Sequence, residues 1–241
     1  KKILKRLELL HPKKIDLSLN RLRKLLDKLN NPQFKLPPII HIAGTNGKGS
    51  VISYLRTIYE ESGFKIHTYT SPHLIRFNER IRLNSKLITD KYLSALLEEC
   101  EEKNNGEAIT FFEITTAAAF LAFSRKKSDL ILLETGLGGR YDATNIIEDS
   151  ICSVLTPISM DHMNFLGSSL IKIANEKIGI LKKDSSVILS KQKTSVRELV
   201  RTQAKKKNIK LYEEGREWEI LKRYKNSFKM RFNKKIFEFV K

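Results

Sequence analysis

A single lysine stands in a glycine-rich stretch, "GTNGKGS" (44–50), directly after an apolar run at 39–43 and at the start of a run with helical periodicity. A glycine-rich turn between a strand and a helix lets consecutive backbone N–H groups face a phosphate, and the helix N-terminus adds partial positive charge. Lys48 can reach the outer phosphates. In the usual P-loop pattern Ser or Thr follows this lysine directly, whereas here Gly49 follows it and Ser50 comes one position later. We predict nucleotide binding rather than a tight turn with an incidental lysine.

A carboxylate that could bind magnesium ends another apolar run. In "DLILLE" (129–134) no other charge follows Asp129, and Glu134 would lie at the C-terminal edge of the sheet, where open α/β sheets bind their ligands. Phosphoryl-transfer enzymes need such a carboxylate for the metal that accompanies ATP. A helix-cap or turn carboxylate is the alternative. The "GLGGR" that follows adds a flexible loop and, in Arg140, a candidate phosphate clamp.

The segment "TSPHLIRFNERI" (70–81), which follows another predicted strand, carries three candidate ligand groups. Ser71 could bind a metal, and Arg76 and Arg80 could hold a carboxylate in a bidentate manner. An ordinary Ser-Pro turn is the alternative, and the residues by themselves leave both interpretations open.

Two later segments add further candidates. Asp161 and His162, in "MDHMNFLG" (160–167), come just past a strand, although a lone histidine is more often structural than a ligand. Lys177 lies in the helical pattern "ANEKIGILK" (174–182) on its apolar face. A lysine in such a place usually snorkels to the surface. If it were buried beside a metal, its pKa would fall and its amine could become a modified ligand.

The pattern predicts a scaffold that brings strand ends together. Strands are predicted at 39–43, 64–70, 129–134, 150–156, 185–190 and 209–212, and helices at 17–29, 48–62, 90–103, 111–126, 168–182 and 194–207. Such alternation is typical of an α/β fold with a mostly parallel sheet wrapped by helices. The last stretch, 217–241, predicts a short antiparallel β segment. We therefore expect one P-loop-containing α/β domain over residues 1–241.

Composition limits the classes of partner. The net charge of +18, from 45 Lys and Arg against 27 Asp and Glu, could serve nucleic acid, an anionic surface or an anionic small molecule such as ATP. The lysines are spread along the chain without an accompanying RNA- or DNA-binding motif, so nucleic acid is the weaker interpretation. No apolar stretch approaches the roughly 20 residues that span a bilayer, so no membrane partner is expected. Cys100 and Cys152 show no metal-type spacing and favour a reducing cytoplasm over a disulfide framework.

Several motifs, in order along the chain, together resemble one family. They are "HIAGTNGKGS", "SPHLIRFNERI", "FFEITTAAAF", "ETGLGGRYDATN" and "MDHMNFLG" followed by "IANEKIGI". The chain is similar to folylpolyglutamate synthase and its bacterial bifunctional form, dihydrofolate synthase, within the Mur ligase superfamily. The resemblance runs from about residue 11 to residue 182. Ordered motifs of this kind are far more specific than any one of them.

The resemblance implies roles for individual residues. The ATP phosphates would be held by Asn46, Gly47, Lys48, Gly49 and Ser50. Ser71 and Glu134 would bind one Mg²⁺, and His162 and Glu134 would help to bind a second one together with a carbamylated Lys177. Lys48, His162 and Lys177 would be the catalytic residues. The pterin-bearing substrate would lie near three segments, namely Lys14, Ile15 and Asp16; Thr110, Phe111, Phe112 and Glu113; and Tyr141, Asp142 and Ala143.

The resemblance also implies a reaction, in which an ATP-dependent ligase joins L-glutamate to a folate or dihydropteroate carboxylate through an acyl phosphate. Members of the family continue with a C-terminal domain that closes over ATP and helps to bind the amino acid. This chain ends before that domain, so we expect a truncated form whose C-terminal half is absent or comes from a separate chain. A non-catalytic nucleotide-binding remnant and, less favoured, a basic nucleic-acid-binding protein are the alternatives.

Overall fold

The computed structural model describes residues 2–13 and 15–240. Its helices are α1 (Lys2–Leu7), α2 (Asn20–Lys28), α3 (Lys48–Glu61), α4 (Asp90–Asn104), α5 (Phe111–Ser124), α6 (Met163–Leu166), α7 (Leu170–Lys177) and α8 (Thr194–Lys206). Its strands are β1 (Ile39–Ala43), β2 (Ile66–Tyr69), β3 (Ile81–Leu83), β4 (Lys86–Leu87), β5 (Leu130–Glu134), β6 (Cys152–Leu155), β7 (Ser186–Leu189), β8 (Lys210–Glu213), β9 (Trp218–Arg223), β10 (Ser227–Phe232) and β11 (Lys235–Val240). Short 3₁₀ helices lie at Pro32–Lys35, Phe77–Arg80, Ala143–Ile146 and Ile178–Ile180. None of the helices in the described ranges is long and apolar enough to cross a membrane.

An eight-stranded sheet in the order β4-β3-β2-β5-β1-β6-β7-β8 forms the centre of the fold. Neighbouring strands from β2 through to β8 run parallel, and β3 and β4 add an antiparallel hairpin at one edge. The register places Ile42 of β1 opposite Glu134 of β5 on one side and Val154 of β6 on the other. The C-terminal ends of β1, β2 and β5 therefore meet at one edge, which is the ligand edge of open α/β sheets. The predicted fold class is confirmed.

One face of the sheet is covered by most of the helices. α2, α4 and α5 pack over β2 and β5 around Tyr69 and Leu133, while α7 and α8 pack over β6 and β7 around Leu155 and Val187. The sequence of α5, FFEITTAAAFLAFS, is apolar around its circumference, and nearly all of its side chains are buried. The first turn of α5 is thereby fixed at the ligand edge of the sheet.

The opposite face is only partly covered. The hydrophobic cluster on this face takes its helical residues from α3. In this cluster, Ile52 of α3 is buried together with Ile42 of β1 and Leu132 of β5. Beyond α3, Val154 and Ile188 are half-buried and line an apolar groove of about 290 Å³ that Trp218 also lines. Parallel sheets are normally covered on both faces. This groove is therefore a place where the described part of the chain leaves a layer of the fold open.

The last strands form a separate three-stranded antiparallel sheet in the order β11-β10-β9. Phe228 of β10 lies opposite Phe239 of β11, and their rings stack with centroids 4.9 Å apart. Trp218 joins this sheet to the larger one because its indole N–H donates to the backbone oxygen of Tyr212 in β8 at 3.2 Å. The antiparallel segment predicted after residue 217 is thus confirmed as far as residue 240.

The structure differs from the predicted elements in four places. α1, α6 and the β3–β4 hairpin were not predicted, because each is too short to show a clear hydrophobic period. The helix expected over 168–182 is shorter, since α7 ends at Lys177 and a 3₁₀ helix follows it. Gly179 in that 3₁₀ helix lies so close to Arg140 that an added Cβ would come within 2.5 Å of its Cα.

Candidate functional site

The glycine-rich turn forms the link between β1 and α3 that the sequence predicts. Gly47 precedes the first residue of α3 with φ of 85°, a left-handed conformation that glycine adopts readily. Among the described residues, no side chain caps this end of the helix, and the helix itself carries no acidic residue in its first turn. The first N–H groups of α3 are therefore not used by a side-chain cap, as an anion site requires.

Two lysines point at the carbonyl oxygen of Gly44 in this turn. Lys48 donates to it at 3.3 Å and to the oxygen of Thr45 at 3.4 Å, and Lys177 donates to it at 2.9 Å. Lys177 is only 3% exposed. Burial and, next, the like charge of Lys48 lower the pKa of Lys177 to about 8. A snorkelling surface role for Lys177 is thus wrong, because its amine lies buried at the predicted phosphate turn, residues 44–50.

The loop "GLGGR" holds α7 in the position that delivers Lys177. At Gly139 an added Cβ would lie 2.7 Å from the carbonyl oxygens of both Glu176 and Lys177. The N–H of Arg140 donates to the oxygen of Glu176 at 2.7 Å, and its guanidinium donates to the oxygen of Asn175 at 3.3 Å. The loop is therefore glycine-rich because it packs closely on the end of α7. Arg140 binds α7, which disfavours the phosphate-clamp interpretation.

Ser71 and Glu134 come together at the ends of β2 and β5. The N–H of Ser71 donates to Glu134 Oε2 at 3.1 Å, and a Cβ added at Gly49 would lie 3.9 Å from the same oxygen. Burial raises the pKa of Glu134, and both the Ser71 hydrogen bond and the charge of Lys48 oppose that rise. A hydroxyl and a carboxylate beside a phosphate turn are the oxygen ligands that suit Mg²⁺.

Among the described residues, His162 makes no hydrogen bond or ion pair with Ser71 or Glu134. It adopts φ of 48° just before α6, and its Nε2 lies 3.5 Å from Asp161 Oδ2 on a side chain that is 49% exposed. Across the residues that the structure describes, no three His, Cys, Asp or Glu side chains form a ready metal cluster. A metal here would thus need ligands from a bound phosphate or water, as Mg²⁺ commonly takes.

The three predicted substrate segments meet around one cavity of about 220 Å³. Ile15 and Asp16 line it from one side, and the first turn of α5 and the loop before the 3₁₀ helix Ala143–Ile146 line it from the others. The lining from these last two elements consists of Thr110, Phe112, Glu113, Tyr141, Asp142 and Ala143. Ser71 also lines the cavity. The cavity and the phosphate turn are therefore adjacent, with Ser71 and Glu134 between them.

Two buried carboxylates shape this cavity. Asp142 Oδ2 accepts from the Leu137 N–H at 2.7 Å, and its Oδ1 accepts from the N–H of Thr144 at 3.0 Å and from its hydroxyl at 2.5 Å. Glu113 Oε2 accepts from the N–H and the hydroxyl of Thr110, both at 2.8 Å, and from Arg21 Nε at 3.1 Å. Glu113 Oε1 is buried and has no hydrogen-bond partner among the residues that the structure describes. A ligand with an N–H donor would satisfy it.

Two predicted substrate residues are not placed in this cavity. Phe111 contacts Phe77 edge-on with ring centroids 5.7 Å apart and lines a neighbouring groove instead. Lys14 lies outside the described residues. Arg21 was missed by sequence reasoning although it pairs with both Asp16, at 3.0 Å, and Glu113. The helical pattern around Arg21 gave no signal for this role, because both partners lie outside α2: Asp16 precedes that helix, and Glu113 belongs to α5.

The parallel sheet and the glycine-rich turn before α3 define the class: an α/β protein of the P-loop type. The family model of the Mur ligase middle domain matches residues 42–240, and the chain belongs to this family.

The individual proteins that this chain resembles in sequence or structure are consistent with the family match. A dihydrofolate synthase/folylpolyglutamate synthase of Bacillus subtilis (strain 168) is 39% identical over 196 residues, which make up 78% of this chain and 45% of that protein. E. coli FolC in complex with DHPP and ADP matches with a TM-score of 0.90 at 31% identity, over 98% of this chain and 56% of that one. A bifunctional folylpolyglutamate synthase/dihydrofolate synthase with Mn, AMPPNP and L-glutamate bound matches with a TM-score of 0.83 at 29% identity, over 97% and 55% of the two chains. The chain spans about half the length of these relatives.

Proposed function

We propose that this chain is the ATP-binding part of a ligase that joins L-glutamate to the carboxylate of dihydropteroate or of a folate. The observation that carries the proposal is the position of Ser71, which lines the cavity of the three substrate segments and hydrogen-bonds Glu134 beside the phosphate turn. An acceptor in the cavity and ATP in the turn would then be neighbours. The relatives named dihydrofolate synthase/folylpolyglutamate synthase support this chemistry over nucleic-acid binding.

The proposed reaction needs activation because a carboxylate is a poor electrophile. The acceptor carboxylate would attack the terminal phosphoryl group of ATP, giving an acyl phosphate and ADP. The α-amine of glutamate would then attack the acyl carbon, giving the amide and phosphate. The turn of Asn46, Gly47, Lys48, Gly49 and Ser50 would hold the phosphates, with Lys48 balancing the charge of the transferred group. The protein mainly positions anions that otherwise repel one another.

The residues present fit magnesium. Ser71 and Glu134 would hold one ion, which would supply positive charge to the phosphates of ATP. For a second ion we propose Glu134, His162 and a carbamylated Lys177. A lysine with a lowered pKa is partly neutral near pH 8 and can react with carbon dioxide, which turns a cation into an anionic oxygen ligand. Mn in a structurally similar protein supports a divalent metal in the family.

We propose further that residues 1–241 form one domain, including the β segment from 217, and that catalysis needs additional polypeptide. The half-length match to the relatives and the open apolar groove beside Trp218 support this. The additional part could come as a separate C-terminal chain. We place the protein in the cytoplasm, which agrees with the free thiols of Cys100 and Cys152.

An ADP-release assay with dihydropteroate, glutamate and Mg-ATP tests the proposal. We expect background turnover from this chain alone and a gain when the C-terminal half of the Bacillus subtilis relative is added as a separate polypeptide. The same assay with Lys48→Ala is the control and should stay at background in both cases. A chain that binds ATP but is never activated would instead support the non-catalytic remnant.

A further inference from the structure

Arg80 occupies the wall between the acceptor cavity and the neighbouring groove, and it lines both. It is the last residue of the 3₁₀ helix Phe77–Arg80, and its backbone oxygen accepts from the N–H of Thr70 at 2.9 Å. Arg80 is thereby fixed beside the Thr70–Ser71 segment at the end of β2. Ser71, the proposed metal ligand, lines the same cavity as Arg80.

The guanidinium of Arg80 is held in a fixed plane. Its Nε donates to Nδ1 of His73 at 2.9 Å, and its Cζ lies 5.1 Å from the centre of the Phe77 ring. Because Nδ1 accepts this hydrogen bond, it carries no proton, and the bond fixes the ring of His73 relative to the guanidinium. Among the described residues, nothing hydrogen-bonds the two terminal nitrogens of Arg80. They form a fork that is available to a ligand.

The charge of Arg80 is not balanced from within the described part of the chain. Arg76, four positions earlier, pairs with Asp90 at 2.8 Å, whereas Arg80 takes part in no ion pair with a described residue. The nearby Glu79 is already used, because its carboxylate accepts the N–H groups of Leu74, Ile75 and Arg76. A half-buried guanidinium without an anion is costly, which favours an anionic partner from outside the protein.

The other charged groups of the cavity could not receive a carboxylate. Asp16 and Glu113 are acids that pair with Arg21, and Asp142 is an acid held by backbone and hydroxyl donors. These acids would repel an anionic group placed near them and leave the Arg80 side as the favourable end. Among the described residues that line the cavity, Arg80 is thus the one cationic side chain, beside the three acids Asp16, Glu113 and Asp142.

We propose that Arg80 binds the carboxylate of the acceptor and so orients the acceptor in the cavity, a proposal that rests on the proposed function. Two parallel hydrogen bonds from the terminal nitrogens to the two carboxylate oxygens match the geometry of the fork. Arg76 and Arg80 were equal candidates in the sequence, and the structure separates them. Arg80 is the binding residue, and His73 and Phe77 are positioning residues that set the plane of its guanidinium.

Calorimetry with two matched probes tests this assignment. The probes are pteroic acid and its primary carboxamide, which share the pterin and aryl parts and differ in the negative charge. The full chain should bind the acid at least tenfold more tightly than the amide. Arg80→Gln should abolish this preference while leaving affinity for the amide within about twofold, and Arg80→Lys should restore only part of it because a lysine lacks the fork. Arg76→Gln is the matched control and should keep the full preference.

The outcomes separate this inference from the function on which it rests. An Arg80→Gln protein that keeps the wild-type preference for the acid would overturn the role of Arg80 and leave the acceptor cavity standing. Equal affinity of the wild-type chain for acid and amide would do the same. A wild-type chain that binds neither probe would overturn the acceptor class together with the role of Arg80. If Arg80→Gln does not fold, as judged by its circular dichroism, the Arg80→Lys variant decides the point. A wild-type preference for the acid in that variant would contradict bidentate binding of the carboxylate by the two terminal nitrogens of Arg80.

Discussion

Lys48 and Lys177 share one hydrogen-bond acceptor, the carbonyl oxygen of Gly44. Two ammonium groups on one oxygen repel each other, and the pKa of Lys177 is lowered first by its burial and then by this repulsion. The repulsion would be relieved by a phosphate between them or by conversion of Lys177 to an anion. This relationship ties the phosphate turn after β1 to the end of α7, which is remote from it in sequence.

Carbamylation of Lys177 should depend on pH. With a pKa of about 8, Lys177 is mostly charged and unreactive at pH 7 and mostly neutral at pH 9. We expect a carbamate carbon signal in NMR with ¹³C-bicarbonate that grows across this interval and disappears in Lys177→Arg. Lys48→Ala removes the like charge, raises the pKa of Lys177 and should move the growth to higher pH. A signal that is the same in Lys177→Arg would exclude this site.

Gly139→Ala should destabilise the fold because the added Cβ meets two backbone oxygens, which cannot move as a side-chain end can. We expect a loss of about 3 kcal/mol in the free energy of unfolding, measured by urea denaturation. Gly106→Ala is the control: its Cβ meets nothing within 4 Å, so only the strain of φ at 73° remains, about 1 kcal/mol. Equal losses in the two variants would show that the loop does not pack on α7 as described.

Local features of the site could be predicted from the sequence, and long-range ones could not. β1 was predicted at its observed bounds, and the turn of 44–50 follows from residues that are adjacent in the chain. The approach of Ser71 to Glu134 follows from parallel pairing of β2 and β5, which the alternation of elements implies. The pairing of Arg21 with Glu113 joins residues far apart in sequence, and no periodicity encodes it.

The contrast between Phe111 and Phe112 has a similar cause. Successive residues of a helix point about 100° apart, so the rotation of the helix about its axis decides which of the two rings lines the cavity. The sequence places both at the first turn of α5 but does not say how that helix is rotated above the sheet. The structure sets the rotation through the packing of α5 on α2 and α4, which puts Phe112 in the cavity and Phe111 against Phe77.

His41 should make stability sensitive to acid. Its Nε2 donates to Thr144 Oγ1 at 2.8 Å, its Nδ1 has no hydrogen-bond partner within residues 2–13 and 15–240, and burial lowers its pKa to about 3. Between pH 6.5 and 3 the unfolded chain takes up a proton that the folded chain does not, so stability falls as the pH falls through this interval. From pH 6.5 to 5 we expect a loss of about 2 kcal/mol. Denaturation of His41→Gln, which keeps the donor to Thr144, should lack this component; an unchanged pH slope would contradict it.

Glu134→Gln should uncouple nucleotide affinity from magnesium. The amide still accepts the N–H of Ser71, so the fold should persist, but the negative charge proposed to attract the metal is gone. Titrations with and without EDTA give the gain in ATP affinity that Mg²⁺ provides. We expect this gain to be at least tenfold smaller in Glu134→Gln than in the wild type. Glu102→Gln, on the exposed side of α4, should behave as wild type. An equal effect of Mg²⁺ in Glu134→Gln would remove Glu134 from the metal site.

The most direct test of the account is calorimetric titration of the chain with Mg-ATP, beside Lys48→Ala. The phosphate turn and its lysine predict saturable binding by the wild type with one nucleotide per chain, and a loss of at least tenfold in affinity in the variant, whose fold is checked by circular dichroism. Absence of binding by the folded wild-type chain, or equal binding by both proteins, would contradict the assignment of residues 44–50 as the ATP site.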